Sequence, residues 1–250
     1  MSQILLSQVS TRPPLEVDRD RLEKETKNLI DELGDLQEIL FAQAKHSILI
    51  IFQGMDASGK DGAVRKVFEE CHPKGLKVIS FKKPTDLELA HDFLWRVHQH
   101  TPPRGMIHIF NRSHYEDVLI QRVHRWIDED QVDQRFASIN AFERLLQHDA
   151  QTTIVKFFLH ISYEQQEKEL QERLDERNKH YKHNPGDWRE RKHWDTYMRC
   201  YEDVLVRSEI PWTIVPVDKR WYRDYIVART LVDTLKKLDL EWPRLSDDDL

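Results

Sequence analysis

Residues 47–70, SILIIFQGMDASGKDGAVRKVFEE, constrain the fold more than any other stretch of the chain. The apolar run from Ser47 to Phe52 shows no alternation with polar residues, so it reads as a strand covered on both faces. It passes through a glycine-containing turn into a helical pattern near 60–70. A strand of this kind needs parallel neighbours and helical crossovers. The rest of the chain supplies them. KVISF precedes a helix over 86–98, MIHIF precedes helices reaching about 150, and TIVKFFLHI precedes helices from about 163 and about 187. WTIVPV then leads into a last helix over 221–238, while residues 18–44 place Leu22, Leu29, Leu33, Leu36 and Leu40 at helical intervals. Gly34 weakens the middle of that first helix. The expected architecture is α/β, a three-layer α/β/α sandwich around a parallel sheet.

Composition narrows the class. At 250 residues, with 39% hydrophobic and 33% charged side chains, the chain is expected to be one domain over 1–250 with a substantial core. No apolar run nears the roughly 20 residues of a membrane span, and the start lacks a secretory signal, so a cytoplasmic protein without membrane contact is expected. A net charge of −6 argues against a general nucleic-acid coat. Cys71 and Cys200 are too far apart for a zinc knuckle and read as buried thiols. The 13 histidines are scattered. TRPP near the start and SDDDL at the end read as solvated tails.

Gly54 to Lys60 satisfy the pattern G-x-x-x-x-G-K between a predicted strand and a predicted helix, the setting that makes this pattern informative. Glycines let successive N–H groups curl toward phosphate oxygens, and the helix start adds partial positive charge. Gly54, Ala57, Ser58, Gly59, Lys60, Asp61 and Gly62 therefore form a candidate phosphate cradle. Where nucleotide hydrolases carry a hydroxyl after the lysine, this chain carries Asp61, and Asp56 lies inside the loop. A carboxylate among phosphates repels them unless a divalent cation intervenes, which marks Asp56 as a metal-side group. Asp61 is read either as a complement to the helix dipole or as a functional group.

GMIHIFNRSHYEDVL, residues 105–119, ends a strand in a dense polar cluster. The C-terminal ends of strands are where doubly wound sheets bind ligands. Arg112 offers a planar fork for phosphoryl oxygens, and Asp117 a second carboxylate for Mg2+. Lys82, Lys83 and Arg96 gather near the end of the second strand, where Phe93, Leu94 and Trp95 read as core. Residues 173–193 hold seven Lys or Arg against four Asp or Glu around an NPGD break. That run is either a solvated helix face or a lid that closes over phosphates.

GMDASGKDG, SFKKPT, HDFLWR, FNRSHYEDVL, ERLDE, RKHWDTYM, YEDVL, WTIVP and KRWYRDYIVAR together resemble the polyphosphate kinase 2 family over about 18–240, and the loop and strand-end wording is most similar to its class III branch. The resemblance implies a P-loop kinase sheet with a helical lid, here 173–193. It implies phosphoryl transfer from inorganic polyphosphate to AMP and ADP with Mg2+, Mn2+ being a substitute. Adenine nucleotides are the implied partners, guanine nucleotides a second choice, in a homo-oligomer, dimer or tetramer. By matching position Asp56 and Lys60 fall on the Walker A carboxylate and lysine, and Arg112 and Asp117 on the Walker B arginine and metal carboxylate. Those four are the expected catalytic residues, with Asp56 and Asp117 on the metal. Arg65, Lys82, Lys83, Arg173, Lys179 and Lys182 are implied to line the anion channel and lid, although His180 stands where that lid pattern has Trp. Two rival readings remain open: an ATP-dependent nucleoside monophosphate kinase, and a nucleotide-binding regulator without turnover.

Overall fold

Every residue from Ser47 to Gln53 is buried in the structure, a computed structural model that describes residues 4–245. Burial on both faces of one strand requires cover on both sides, and the order of elements provides it. In chain order these are α1 (Arg19–Gln43), β1 (Ser47–Gln53), α2 (Lys60–Val67), β2 (Leu76–Ser80), α3 (Asp86–Leu89), α4 (Trp95–His98), β3 (Ile107–Asn111) and α5 (Ile120–Val123). There follow α6 (Glu129–His148), β4 (Thr152–His160), α7 (Tyr163–Asp175), α8 (Pro185–Glu190), α9 (Trp194–Arg207), β5 (Trp212–Pro216) and α10 (Arg220–Leu235). The strands pair in parallel in the order β2-β3-β1-β4-β5. Since β1 is central and β3 and β4 flank it, whatever follows β1 and β3 converges at one end of the sheet. The order reverses beside β1, which opens a crevice there.

Asp18 caps α1 by accepting from the Arg21 N–H, and the helix packs along α10. Gly34 has a reason to stand mid-helix: a Cβ there would lie 2.8 Å from the Glu70 carbonyl oxygen, so it marks a close approach of two backbones. The helix expected over 86–98 is instead two short helices. Thr85 and Glu88 form a capping box at the first, and Asp92 caps the start of the second. Phe93 and Leu94 pack on the core, whereas Trp95 stacks on His91 with ring centroids 4.1 Å apart.

The N-terminal segment also departs from expectation. Leu6 is buried, its N–H donates to Glu202 at 2.8 Å, and Thr11 donates to Asp218 at 2.8 Å. TRPP is thus tied at its first residue to the end of β5, because Asp218 needs donors once buried. The SDDDL end lies outside the described residues. Cys71 and Cys200 are buried and free, and burial pushes the Cys71 thiol up to about 12. Among the described residues no helix is long and apolar enough to cross a membrane.

Candidate active site

The loop after β1 curls through two left-handed residues, Ala57 at φ +63° and Gly59 at φ +88°, before α2 begins at Lys60. Lys60 is 9% exposed. Its Nζ donates to the carbonyls of Gly54 at 2.8 Å and Met55 at 3.0 Å, so the ammonium lies across the loop it belongs to. Burial, with the nearby Arg112 charge, pushes Lys60 down to about 8 against the opposing pull of Asp56, Glu116 and Asp61. Asp61 does more than face the helix dipole: its carboxylate accepts from the Asn111 amide and ties α2 to the end of β3.

Parallel pairing of β3 with β1 delivers Arg112 beside this loop, its N–H donating to the Phe52 carbonyl at 3.1 Å. Arg112 sits at φ +63°, a conformation costing a non-glycine residue roughly 1–2 kcal/mol. The surrounding contacts hold it there. Its guanidinium pairs with Asp56, and Glu116 first, then Asp56, drive its pKa above the ordinary arginine range.

Asp117 and Glu116 take different partners. The chain after Arg112 makes a 3-10 turn, His114–Val118, in which residues three apart share a side. Ser113 and Glu116 therefore face Gln53 together: Ser113 donates to Gln53 Oε1 at 3.2 Å, and Gln53 donates to Glu116 at 3.0 Å. His114 and Asp117 share another side and are buried. Asp117 accepts from Gln121 at Oδ1 and lies 3.8 Å from Arg96 and 3.9 Å from Arg135; among the described residues it shares no ion-pair or hydrogen-bond partner with Asp56, and its Oδ2 is buried without a hydrogen bond. Burial pushes its carboxyl up to about 6, against both arginines. The Asp56 charge acts on Asp187, from α8, and Glu116, Asp56 and Asp187 all act on Arg112.

Asp187 is buried and bonded to Arg173 at 2.7 Å. Burial, then the Asp56 charge, push its carboxyl up, while Arg173 and Arg112 oppose the shift. Within 173–193, Asp187 and Arg191 are buried, while 174–178 and 180–182 are exposed. Gln166, fully buried on α7, donates to the Asp56 carbonyl at 2.9 Å and accepts from Arg191 at 3.0 Å. Sequence reading gave no role to Glu116, Gln166, Asp187 or Arg191. An acidic residue inside a basic run was the available signal for Asp187.

The other cations are distributed unevenly. Lys179 bridges Glu172 and Glu176 at 2.7 and 2.8 Å. Arg65, Lys82, Lys83 and Lys182 are exposed, with no side-chain hydrogen bond or ion pair among the described residues. The structure does not draw these four into the cluster around Asp56.

Carboxylates are hard oxygen donors, burial and then the Asp56 charge raise the Asp187 carboxyl, and Asp117 Oδ2 is buried without a hydrogen bond, so the residues present fit a divalent cation such as Mg2+. Among the described residues no three His, Cys, Asp or Glu side chains converge into a complete metal cage. Mg2+ takes one or two carboxylates and completes its shell with water and substrate phosphates.

Behind the turn lies a polar network with almost no exposure. Lys156, on β4, donates to Glu143 at 2.7 Å and to the Tyr115 hydroxyl at 2.7 Å, and Glu143 also bonds Tyr115 at 2.9 Å and His114 at 3.2 Å. Burial pushes the Lys156 ammonium down, with Glu143 opposing. Burial also raises Glu143, but the His114 hydrogen bond and Lys156 outweigh it and hold the carboxyl below its usual range. This network fixes the His114–Tyr115 stretch from which Arg112 and Glu116 project.

A parallel sheet with a glycine-rich lysine loop after its central strand, and an arginine after the neighbouring strand, defines a P-loop kinase-like protein. The profile of the family described as Polyphosphate kinase 2 matches residues 16–243, and the chain belongs to that family. The AMP/ADP-polyphosphate phosphotransferase of Meiothermus ruber is 46% identical over 215 residues, covering 85% of this chain and 80% of that protein. The ADP-polyphosphate phosphotransferase of Rhodopseudomonas palustris is 41% identical over 229 residues, covering 86% and 79%. The crystal structure of polyphosphate kinase 2 from Arthrobacter aurescens superposes with a TM-score of 0.93 at 40% identity, covering 98% of this chain and 90% of that one.

Proposed function

We propose that the chain transfers the terminal phosphoryl group of inorganic polyphosphate to AMP and ADP, giving ADP and ATP, as a class III-like member of its family. The observation that carries this reading is the 46% identity, over 85% of the chain, to a phosphotransferase named for AMP and ADP. The loop from Gly54 to Gly62 holds the donor's phosphates through its N–H groups, and Lys60 swings from the Gly54 and Met55 carbonyls onto a phosphate. Arg112 neutralises charge on the transferring group. The acceptor is a phosphate already anionic near neutral pH, so little deprotonation is needed. Asp56 and Asp117 would hold Mg2+, which when bound offsets charge on both polyanions. Mn2+ is the substitute for it. Arg65, Lys82 and Lys83 guide anions inward, and 173–193 is the lid, in which Arg173 orients Asp187. The proposal includes adenine before guanine nucleotides, a cytoplasmic setting and a homo-oligomer.

The test is an incubation with AMP, Mg2+ and long-chain polyphosphate but no ATP, followed by nucleotide chromatography. ADP and then ATP are expected. Product only when ATP is supplied would make it a nucleoside monophosphate kinase, and binding without product a regulator.

The charge state of Lys60 sets a pH dependence. With its pKa at about 8 in the free protein, Lys60 is charged below that pH and must take up a proton to bind a polyanion above it. The KM for polyphosphate is expected to rise as pH climbs through 8, approaching about tenfold per unit. A KM that stays level from pH 7 to pH 9.5 would remove Lys60 from the donor site. In the lid, Lys182→Ala is expected to raise the polyphosphate KM more than it lowers kcat, because a cation on remote phosphates contributes uniform binding. Lys179→Ala is expected to do less, since Glu172 and Glu176 already occupy that ammonium. Both effects are read from initial rates against polyphosphate concentration.

A further inference from the structure

Arg223, on α10, reaches the base of the phosphate loop and has no part in the reading above. It is 4% exposed. Asp224 fixes it through Nε at 2.8 Å and Nη2 at 2.6 Å, and its Nη1 donates to the Gly59 carbonyl at 3.1 Å. That carbonyl already accepts from the Ala63 N–H at 2.9 Å, as the first bond of α2. Two donors on one oxygen fix the Gly59–Lys60 peptide plane. A trans peptide is planar with C=O and N–H opposed, so fixing the Gly59 carbonyl also fixes the direction of the Lys60 N–H. That N–H belongs to the phosphate-binding run.

The same guanidinium accounts for the second glycine of GKDG. A Cβ at Gly59 would lie 2.5 Å from Arg223 Nη1, and Gly59 also needs its positive φ. Gly62 differs, because it lies inside α2 and outside the left-handed region, where helix propensity favours Ala over Gly. What a Cβ at 62 would meet is Arg223 again, at 3.2 Å from Nη1 and 3.4 Å from Nη2.

We propose that Arg223 is a positioning residue of the phosphate loop, and that glycine is required at 62 by this guanidinium and not by the ligand. The inference rests on the reading of residues 54–62 as the donor's phosphate loop.

The test is a double-mutant cycle over Gly62→Ala and Arg223→Ser, read as kcat/KM for long-chain polyphosphate and, in parallel, as the Kd for ATP by calorimetry. Gly62→Ala alone is expected to lower kcat/KM and raise the ATP Kd, each about tenfold, within the coupling range of touching residues, and to change them less than about twofold once Arg223 is Ser. Arg223→Ser alone should raise the polyphosphate KM more than it lowers kcat. Equal cost of Gly62→Ala in both backgrounds, or no cost in either, overturns the proposal. So does an unchanged KM in Arg223→Ser. If Arg223→Ser fails to fold by circular dichroism, Arg223→Lys takes its place, with a smaller but still non-additive effect expected. Should the parent bind ATP yet fail to use polyphosphate, the donor assignment fails while the cycle remains readable through the ATP Kd.

Discussion

Replacing Arg112 by Ala is expected to lower turnover roughly 10³-fold, the low end for arginines that stabilise phosphoryl transfer. Arg112→Lys should recover little of it. A lysine ammonium is a point charge without the planar fork, and it cannot meet Asp56 and a phosphoryl group together as a guanidinium does. The left-handed backbone at this position supports the same expectation, since a conformation with φ +63° is retained in a bulky residue only where its surroundings enforce it. Single-turnover rates decide the matter, because they exclude product release. Rates within a few-fold of the parent in both variants would leave Arg112 as an ion-pair partner of Asp56 and nothing more.

The second large effect is on stability. Lys156→Met is expected to cost about 3–5 kcal/mol, because it leaves the Glu143 carboxylate buried without its cation. Both side chains are almost completely excluded from solvent, and the ammonium makes two of the network's hydrogen bonds. Lys156→Met combined with Glu143→Leu should recover most of the loss, since an apolar pair of similar volume removes the uncompensated charge. Urea or guanidinium unfolding at fixed pH measures both. A single variant as stable as the parent would mean that Glu143 is neutral and the pair is not ionic. Activity follows a separate expectation: the double variant should refold yet turn over more slowly, because Tyr115 and His114 lose the partners that hold the turn beneath Arg112.

Much of the site could be read from residue order. Residues 52–62 lie on one continuous stretch, so the cradle of Gly54, Gly59 and Lys60 follows from a strand, a turn and a helix start whose geometry is local. Arg112 was legible for a related reason, as the polar end of an apolar strand marks the binding edge of a parallel sheet. The partners of Asp117 were not legible, because the turn it lies in decides its direction. Asp117 directly follows Glu116, and in a 3-10 turn that step rotates the side chain by about a third of a circle, from the Gln53 side toward Arg96 and Arg135. Spacing in a polar cluster carries no information about that rotation unless the turn type is known.

Asp187, Gln166, Arg191 and Arg223 lie more than a hundred residues beyond Asp56, and their proximity to the loop depends on how α7, α8 and α10 return to the sheet. By itself the sequence determined the alternation of buried strands and amphipathic helices, the phosphate loop and the family, because each rests on patterns a few residues long or on wording spread along the whole chain. Only the tertiary structure decided which partners Glu116 and Asp117 take, which cations are already neutralised, and which guanidinium lies under Gly59 and Gly62. Those are matters of side-chain direction and long-range packing, and a one-dimensional pattern with a period of two or 3.6 fixes neither.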